Sequence, residues 1–219
     1  MNIDVIKKAY IFQGITDNEL DGMLKCFSSR VKYYKKGEYI YCAGTPITSL
    51  GLVVNGSIIV EYNDLWGNHS VLDCVTAGGI FAENYALSYG EILMVDIVAN
   101  EESEILFLDT STVLATCHHA CSCHQKFIRN LLALAAAKSL NLSRHIIHIS
   151  SKNIRGRVLS YLSLCASSNS NYEFDIIYDR QQLADYLCVD RSALSAELSK
   201  MKKEGLLDFK KNHFILNVK

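Results

Sequence analysis

The stretch DRQQLADYLCVDRSALSAELSKMKKEGLLDFKKNHFILNVK, residues 179–219, leaves the C-terminal end of this chain little choice of fold. Asp179 can cap a helix from Arg180 to about Leu187, and Asp190 a second from Arg191 to about Glu204, which Gly205 ends. Only Cys188 and Val189 separate the first helix from the second cap. Helices joined so tightly must cross steeply. The small Ala184 admits close approach, and Leu183, Leu187, Leu194, Leu198 and Met201 fill the space between. Beyond Gly205, LLDF and HFILNV can pair as two strands around KKN, so the pattern is that of a winged helix-turn-helix.

The exposed face of the second helix begins Arg191, Ser192, Ser195 and continues through Ser199, Lys200, Lys202 and Lys203. A guanidinium near a helix N-terminus can make two hydrogen bonds to guanine in the major groove. Hydroxyls, lysines and helix N-terminal amides suit phosphates and set register. From Ser150 onward there are 11 Lys+Arg against 8 Asp+Glu, a net of +3, while the rest of the chain carries −4. The overall charge of −1 therefore conceals a basic end where double-stranded DNA would sit. The alternative for such a helical pair is a solvated surface that binds protein.

Residues 31–108 have a different texture. Short β-rich runs, LGLVV, SIIVEY, HSVLDCV and ILMVDIVA, alternate with turn signals such as KKG, CAGTP, VNG and TAGG, the pattern of an antiparallel roll or sandwich. Val54-Asn55-Gly56 marks a tight hairpin, and Pro46, the only proline, belongs in a loop. From Phe127 to Ile149 the pattern turns helical: Ile128, Leu132, Ala135, Ser139, Leu142, Ile146 and Ile149 recur in steps of four and three. A second apolar row, Phe127, Leu131 and Leu134, widens that face. Such a helix should pack on its own β-domain and on another helix, most economically its own copy in a parallel homodimer through residues 127–149. A core helix of a monomer is the alternative. NIRGRVLSYLSLCA reads as an amphipathic helix and SSNSNYE as a polar loop.

The expected division is a β-roll at 1–122, a dimerisation helix at 123–149 and a DNA-binding domain at 150–219, an α+β fold. With 219 residues, 49% hydrophobic and 21% charged, each part can bury a core unaided by disulfides or metal. No stretch approaches the roughly 18 uninterrupted apolar residues of a membrane span. The start, MNIDVIKKAYIFQGITDNEL, lacks the layout of a secretion signal, so the expected location is cytoplasmic. The eight cysteines are then expected to be reduced and mostly to fill small apolar spaces.

Taken in order, Lys36-Gly37-Glu38, Gly44, Val54 with Gly56, the Phe81-Ala82-Glu83 turn, the long helix, Arg155-Gly156-Arg157 and the helix-turn-helix resemble the CRP/FNR family of bacterial transcription regulators. The likeness covers nearly the whole chain. It implies a cyclic-nucleotide-binding-like jelly roll, a dimerisation helix and a DNA reader that recruits or blocks RNA polymerase. Carried over residue by residue, the DNA contacts are Arg180, Gln181, Arg191, Ser192 and Ser195. The chain has Ser192 and Ala196 where members often have a glutamate and a second arginine, so the TGTGA-type half-site is not assumed. Dimeric docking still predicts a pseudo-palindrome with half-sites about one helical turn apart.

The effector region departs further. In FAENYALSYGEILMVDIVA, Glu83 is kept, but Ala82 replaces glycine and Leu93-Met94 replace the Arg-Ser pair that binds the phosphate in cyclic-AMP-binding members. Of two hydroxyls expected on the dimer helix only Ser143 is present, beside Leu142. The candidate pocket is Ala82, Glu83, Asn84, Leu93, Met94, Leu142 and Ser143. A buried phosphate there would lack a countercharge, so cyclic AMP is not expected in the family's manner, and no cofactor is predicted. A different signal could enter through CHHACSCHQ, residues 117–125: in a helix, Cys117, Cys121 and His124 share one face, a partial metal or redox site. The simpler alternative is a junction with Ser122 as a helix cap. A cupin-like metal enzyme needs two or three histidines in the roll, and only His69 is offered, so the chain is not read as an enzyme.

Overall fold

The computed structural model describes residues 3–64, 66, 67, 69–88, 90–114 and 122–217. The chain divides into two compact units, Met1–Ala136 and Ala137–Lys219. The first opens with helices α1 (Ile3–Lys8) and α2 (Asp17–Cys26), the latter started by a reciprocal capping box between Thr16 and Glu19. Eight strands follow: β1 (Arg30–Tyr34), β2 (Tyr39–Tyr41), β3 (Ser49–Asn55), β4 (Ser57–Asn63), β5 (His69–Thr76), β6 (Ile80–Phe81), β7 (Asp96–Ala99) and β8 (Ser103–Asp109). A short helix α3 (Glu83–Leu87) interrupts them after β6, and α4 (Thr110–Leu114) follows β8.

The strands form two antiparallel four-stranded sheets, ordered β1-β8-β3-β6 and β2-β7-β4-β5. Between them lies an apolar layer of Ile40, Val53, Ile58, Phe81, Leu93, Ile97, Ile105 and Phe107. The other face of the first sheet, Leu50, Leu52, Val54, Ile80, Leu106 and Leu108, packs on Ile6, Phe12, Leu20, Met23 and Phe27. That sheet is covered on both sides. Hence β3 and β8 are buried nearly end to end instead of alternating. Gly56 forms the tight β3–β4 connection at φ +81°, and a Cβ there would fall 2.4 Å from the Glu102 carbonyl.

Helix α5 runs from Ser122 to Ile149, five residues earlier than the Phe127 start expected from the apolar stripe. Ser122 is its first described residue and reaches Glu19 at 3.5 Å. Phe127 and Leu131 lock its first half into the helical side of the roll, with Phe127 4.8 Å from Phe27 and 5.2 Å from Phe12, centre to centre. The row Leu132, Leu142 and Ile146 is 65%, 61% and 54% exposed in the single chain.

The second unit contains the end of α5, then α6 (Ile154–Asn169), β9 (Glu173–Asp175), α7 (Arg180–Tyr186), α8 (Arg191–Lys203) and the hairpin β10 (Leu207–Lys210) with β11 (His213–Leu216). Asn153 caps α6 through Gly156 N–H. The SSNSNYE segment differs from the polar loop expected of it. Its first residues end α6, and Glu173 opens a third strand that pairs with β11. Phe174 drives this by burying in the core beside Phe214. Leu183, Leu187, Leu194, Leu198 and Met201 are each at most 1% exposed, and each such burial contributes roughly 1.5–3 kcal/mol. Of the six described cysteines, Cys123 and Cys165 are half-buried against the two cores, as expected of small apolar fillers, whereas Cys26, Cys42, Cys74 and Cys188 are exposed, against that expectation. Cys74, for instance, occupies the outward position beside the buried Val75 of β5. No helix among the described residues is long and apolar enough to cross a membrane.

Candidate nucleic-acid interface and effector site

Two aspartates build the helix-turn-helix. Asp179 accepts from Gln182 N–H while the Gln182 side chain accepts from Asp179 N–H, which starts α7. Asp190 accepts from the Ser192 and Ala193 amides at 2.8 and 3.0 Å, which starts α8, and the hydrogen bond from the Ser192 hydroxyl, then that from the Ala193 amide, holds its carboxyl below the usual range. The turn between them is closed by Cys188 at φ +52°. Arg157 fastens it by donating to the Leu187 and Cys188 carbonyls, each at 2.9 Å. Arg155 bonds Glu197 at 2.7 Å and Glu204 at 2.8 Å, tying the N-terminal turn of α6 to the back of α8. Gly156 is required between these arginines, since a Cβ would lie 2.9 Å from the Ser151 Cβ and closer still to its hydroxyl. The Arg-Gly-Arg motif thus orients the recognition helix from behind.

The expected DNA-contacting side chains fall into two groups. Arg191 and Lys200 are exposed, and neither side chain makes a hydrogen bond or ion pair among the described residues. Ser195 Oγ donates to the Arg191 carbonyl at 2.9 Å, Ser192 Oγ to Asp190, and Gln181 Nε2 to Asp185 at 2.8 Å. Arg180 is half-buried over Phe209 and Phe214, at 5.0 and 5.8 Å, and donates to the Lys211 carbonyl. Burial and the nearby Arg191 lower its pKa. Lys202 is exposed, as its helical position suggested, and it pairs with Asp208 and stands 5.6 Å over Phe209. Asp208, in the first strand of the wing, takes up that charge.

His213 braces the wing, its Nδ1 3.0 Å from Asp175 and its Nε2 3.1 Å from Glu173. Those hydrogen bonds, Asp175 first, raise its pKa. The folded state then holds the proton more tightly than the unfolded chain. This stabilisation is complete below about pH 6.5 and is lost as pH rises through the folded value. His148 acts oppositely: burial, then His145, lowers its pKa, so it favours folding as pH rises. In thermal melts of the wild type and His213→Gln, the variant should lose stability below about pH 6.5 and converge on the wild type once pH has passed the raised folded value. A constant offset across the series would show that His213 acts by packing alone.

On the roll, Ala82 caps α3 in a left-handed conformation, φ +61°, a backbone state that glycine adopts more cheaply. Glu83 is 2% exposed and Asn84 exposed. Leu93 is 1% exposed in the inter-sheet layer, whereas Met94 is 65% exposed. On α5, Leu142 is exposed and Ser143 Oγ donates to the Ser139 carbonyl at 3.0 Å. Of the 117–125 cluster, Cys117 and Cys121 lie outside the described residues. His124 is buried, 2.5 Å from the Val113 carbonyl through Nε2 and edge-on to Phe27. A carbonyl only accepts, so Nε2 carries the proton and donates. No group of three metal-binding side chains occurs among the described residues.

Residues 31–119 match the family model of the cyclic nucleotide-binding domain, and residues 156–219 that of the Crp-like helix-turn-helix domain. Electron transport regulator A of Shewanella oneidensis is 26% identical over 210 residues, covering 91% of this chain and 79% of that protein. Among solved structures, the catabolite activator protein of Thermus thermophilus superposes with a TM-score of 0.52 at 21% identity, covering 95% of this chain and 93% of the other. CprK complexed with OCPA superposes with a TM-score of 0.62 at 18% identity, covering 89% and 88%. At these identities the superpositions establish a shared fold.

Proposed function

This chain belongs to the CRP/FNR family of transcriptional regulators, and from that premise we propose that it is a homodimeric, sequence-specific DNA-binding regulator, acting in the cytoplasm, whose roll does not take cyclic AMP in the family's manner. The observation that carries this is the outer face of α8: Arg191, in the first turn after the Asp190 cap, is exposed and uncommitted. In this reading Arg191 specifies a base, and Gln181, Ser192, Ser195 and Lys200 set register on the backbone. Arg180 and Lys202 support that face through the wing, and direct contact by Lys202 requires it to leave Asp208. The exposed Leu132–Leu142–Ile146 row of α5 pairs with its copy. RNA polymerase is the partner through which such a regulator would act, and its output is binding rather than catalysis.

Leu93 carries the effector half of the proposal. It fills the inter-sheet layer at the position that holds arginine in cyclic-AMP-binding members. A nucleotide phosphate at that point would be desolvated without a countercharge, at a cost of several kcal/mol.

Selection of bound duplexes from a random pool should return a pseudo-palindrome with half-site centres about 34–36 Å apart. On the selected site, log affinity against log salt should fall with a slope of about −5 or steeper, as expected when six or more phosphates are neutralised. A pool that enriches nothing would refute the reading.

A further inference from the structure

A second opening in the roll does not involve the expected effector residues. Where β1, β3 and β8 of the first sheet face β2 of the second, a half-open cavity of about 220 Å³ is left. Its walls include Tyr34, Tyr41, Phe107 and Ile47, and its rim carries Arg30 and Lys32. Neither Ala82, Glu83, Leu93 nor Met94 lines it.

Two properties of this cavity go together. The first is aromatic shape: Tyr41 and Tyr34 stand edge-on against Phe107 at 5.7 and 6.4 Å, so the three rings form a continuous aromatic wall of a cavity smaller than the roughly 300–1,000 Å³ of drug-sized pockets. It has room for one substituted ring and is too small for a nucleotide. The second is unbalanced charge. Arg30 and Lys32 occupy alternate positions of β1, so both point to this face with Tyr34. Neither side chain makes an ion pair or hydrogen bond among the described residues, no carboxylate lines the cavity, and Lys32 Nζ stands 5.9 Å over Phe107. The nearby Asp109 carboxylate is turned to Ser111, accepting from its amide at 2.9 Å. Tyr41 donates to the Ser49 carbonyl at 2.9 Å, so its hydroxyl stays protonated and brings no negative charge.

We propose that this cavity is a binding site for a small one-ring aromatic carboxylate, the ring against the wall of Tyr34, Tyr41 and Phe107 and the carboxylate on Arg30 and Lys32. The proposal rests on the regulator reading for its purpose, because the cavity adjoins the segment through which the family's ligands act. Gly44 N–H donates to the Leu93 carbonyl at 2.8 Å, Leu93 N–H to the Thr45 carbonyl at 3.2 Å, and Pro46 bridges Ile92. An occupant pressing on Thr45–Ile47 therefore presses on the segment that carries Leu93, just before β7. Aromatic walls supply affinity for the ring, and a two-cation rim supplies affinity for the anion.

The test is calorimetric titration of the full-length protein, free of DNA, with benzoate, salicylate and 4-hydroxybenzoate, and with inorganic phosphate for comparison. At least one carboxylate should bind saturably, and Arg30→Glu with Lys32→Glu should weaken it by about tenfold or more. Both side chains are exposed, so an unchanged circular dichroism spectrum is expected of the double variant. Three results would overturn the proposal: no saturable binding of any of the three, binding indifferent to the double substitution, or phosphate binding as tightly as the best carboxylate. Operator binding is measured separately. Its failure with carboxylate binding intact would count against the regulator reading and leave the cavity assignment standing.

Discussion

Replacing Leu142 and Ile146 together by lysine should convert the protein to a monomer of 24.5 kDa in sedimentation and abolish tight binding to a palindromic site. Both side chains are more than half exposed in the single chain and lie four residues apart on one face of α5. Burying each against a partner helix would contribute roughly 1.5–3 kcal/mol, and two-fold symmetry counts every contribution twice. The variant removes these and sets four like charges along the seam. A monomer engages one half-site at a time and loses the gain from linkage, so affinity for the full site should fall about a thousandfold or more. Neither residue belongs to the cluster that fastens the first half of α5 to the roll, so helicity should be retained. A species that keeps the dimer mass would overturn the assignment of this face.

Arg191→Ala should have the next largest effect. A bidentate arginine–guanine contact contributes about 1–3 kcal/mol of discrimination, and a dimer makes it twice. Affinity for the selected operator should fall by roughly 30-fold to 10⁴-fold, while binding to unrelated DNA changes little. Preference should relax at one position in each half-site. Arg191→Lys separates charge from geometry: it keeps the phosphate attraction but cannot present the planar fork, so specificity should still be lost. The substitution is safe for the fold because the α8 cap depends on the Asp190 carboxylate and the Ser192 and Ala193 amides, not on this side chain. Affinity and preference both unchanged in the alanine variant would mean that α8 is not the reading element.

The reader was largely legible before any coordinates. Its caps, its short turn, its terminal glycine and its leucine spacing are contacts between residues at most a few positions apart. The same was true of the β3–β4 hairpin at Gly56 and of the apolar rows of α5. What the sequence left open depended on contacts outside the local helix or turn. Lys202 keeps the exposed position that its helical phase implies, and Asp208 and Phe209 fold back from the wing to meet it. The segment around Glu173 looked like a loop by composition, but Phe174 finds the Phe214 core and carries the backbone into β11's ladder. Arg155 was visible as part of a motif, yet its work of gripping Glu197 and Glu204, 42 and 49 residues later, was not. The cavity under Arg30 and Lys32 left no sequence signature, because its walls come from four strands.

By itself, then, the sequence determined the kinds of element and their order: an antiparallel roll, a long two-faced helix and a capped, basic helix-turn-helix with a wing. Local sterics and periodicity suffice for these. The tertiary structure alone decided which apolar row of α5 the roll covers and which stays open, that Leu93 fills the inter-sheet layer, and which cations are left without partners. Those outcomes turn on packing and charge pairing between distant segments, where a side chain's environment is set by atoms that its own neighbours in sequence do not supply.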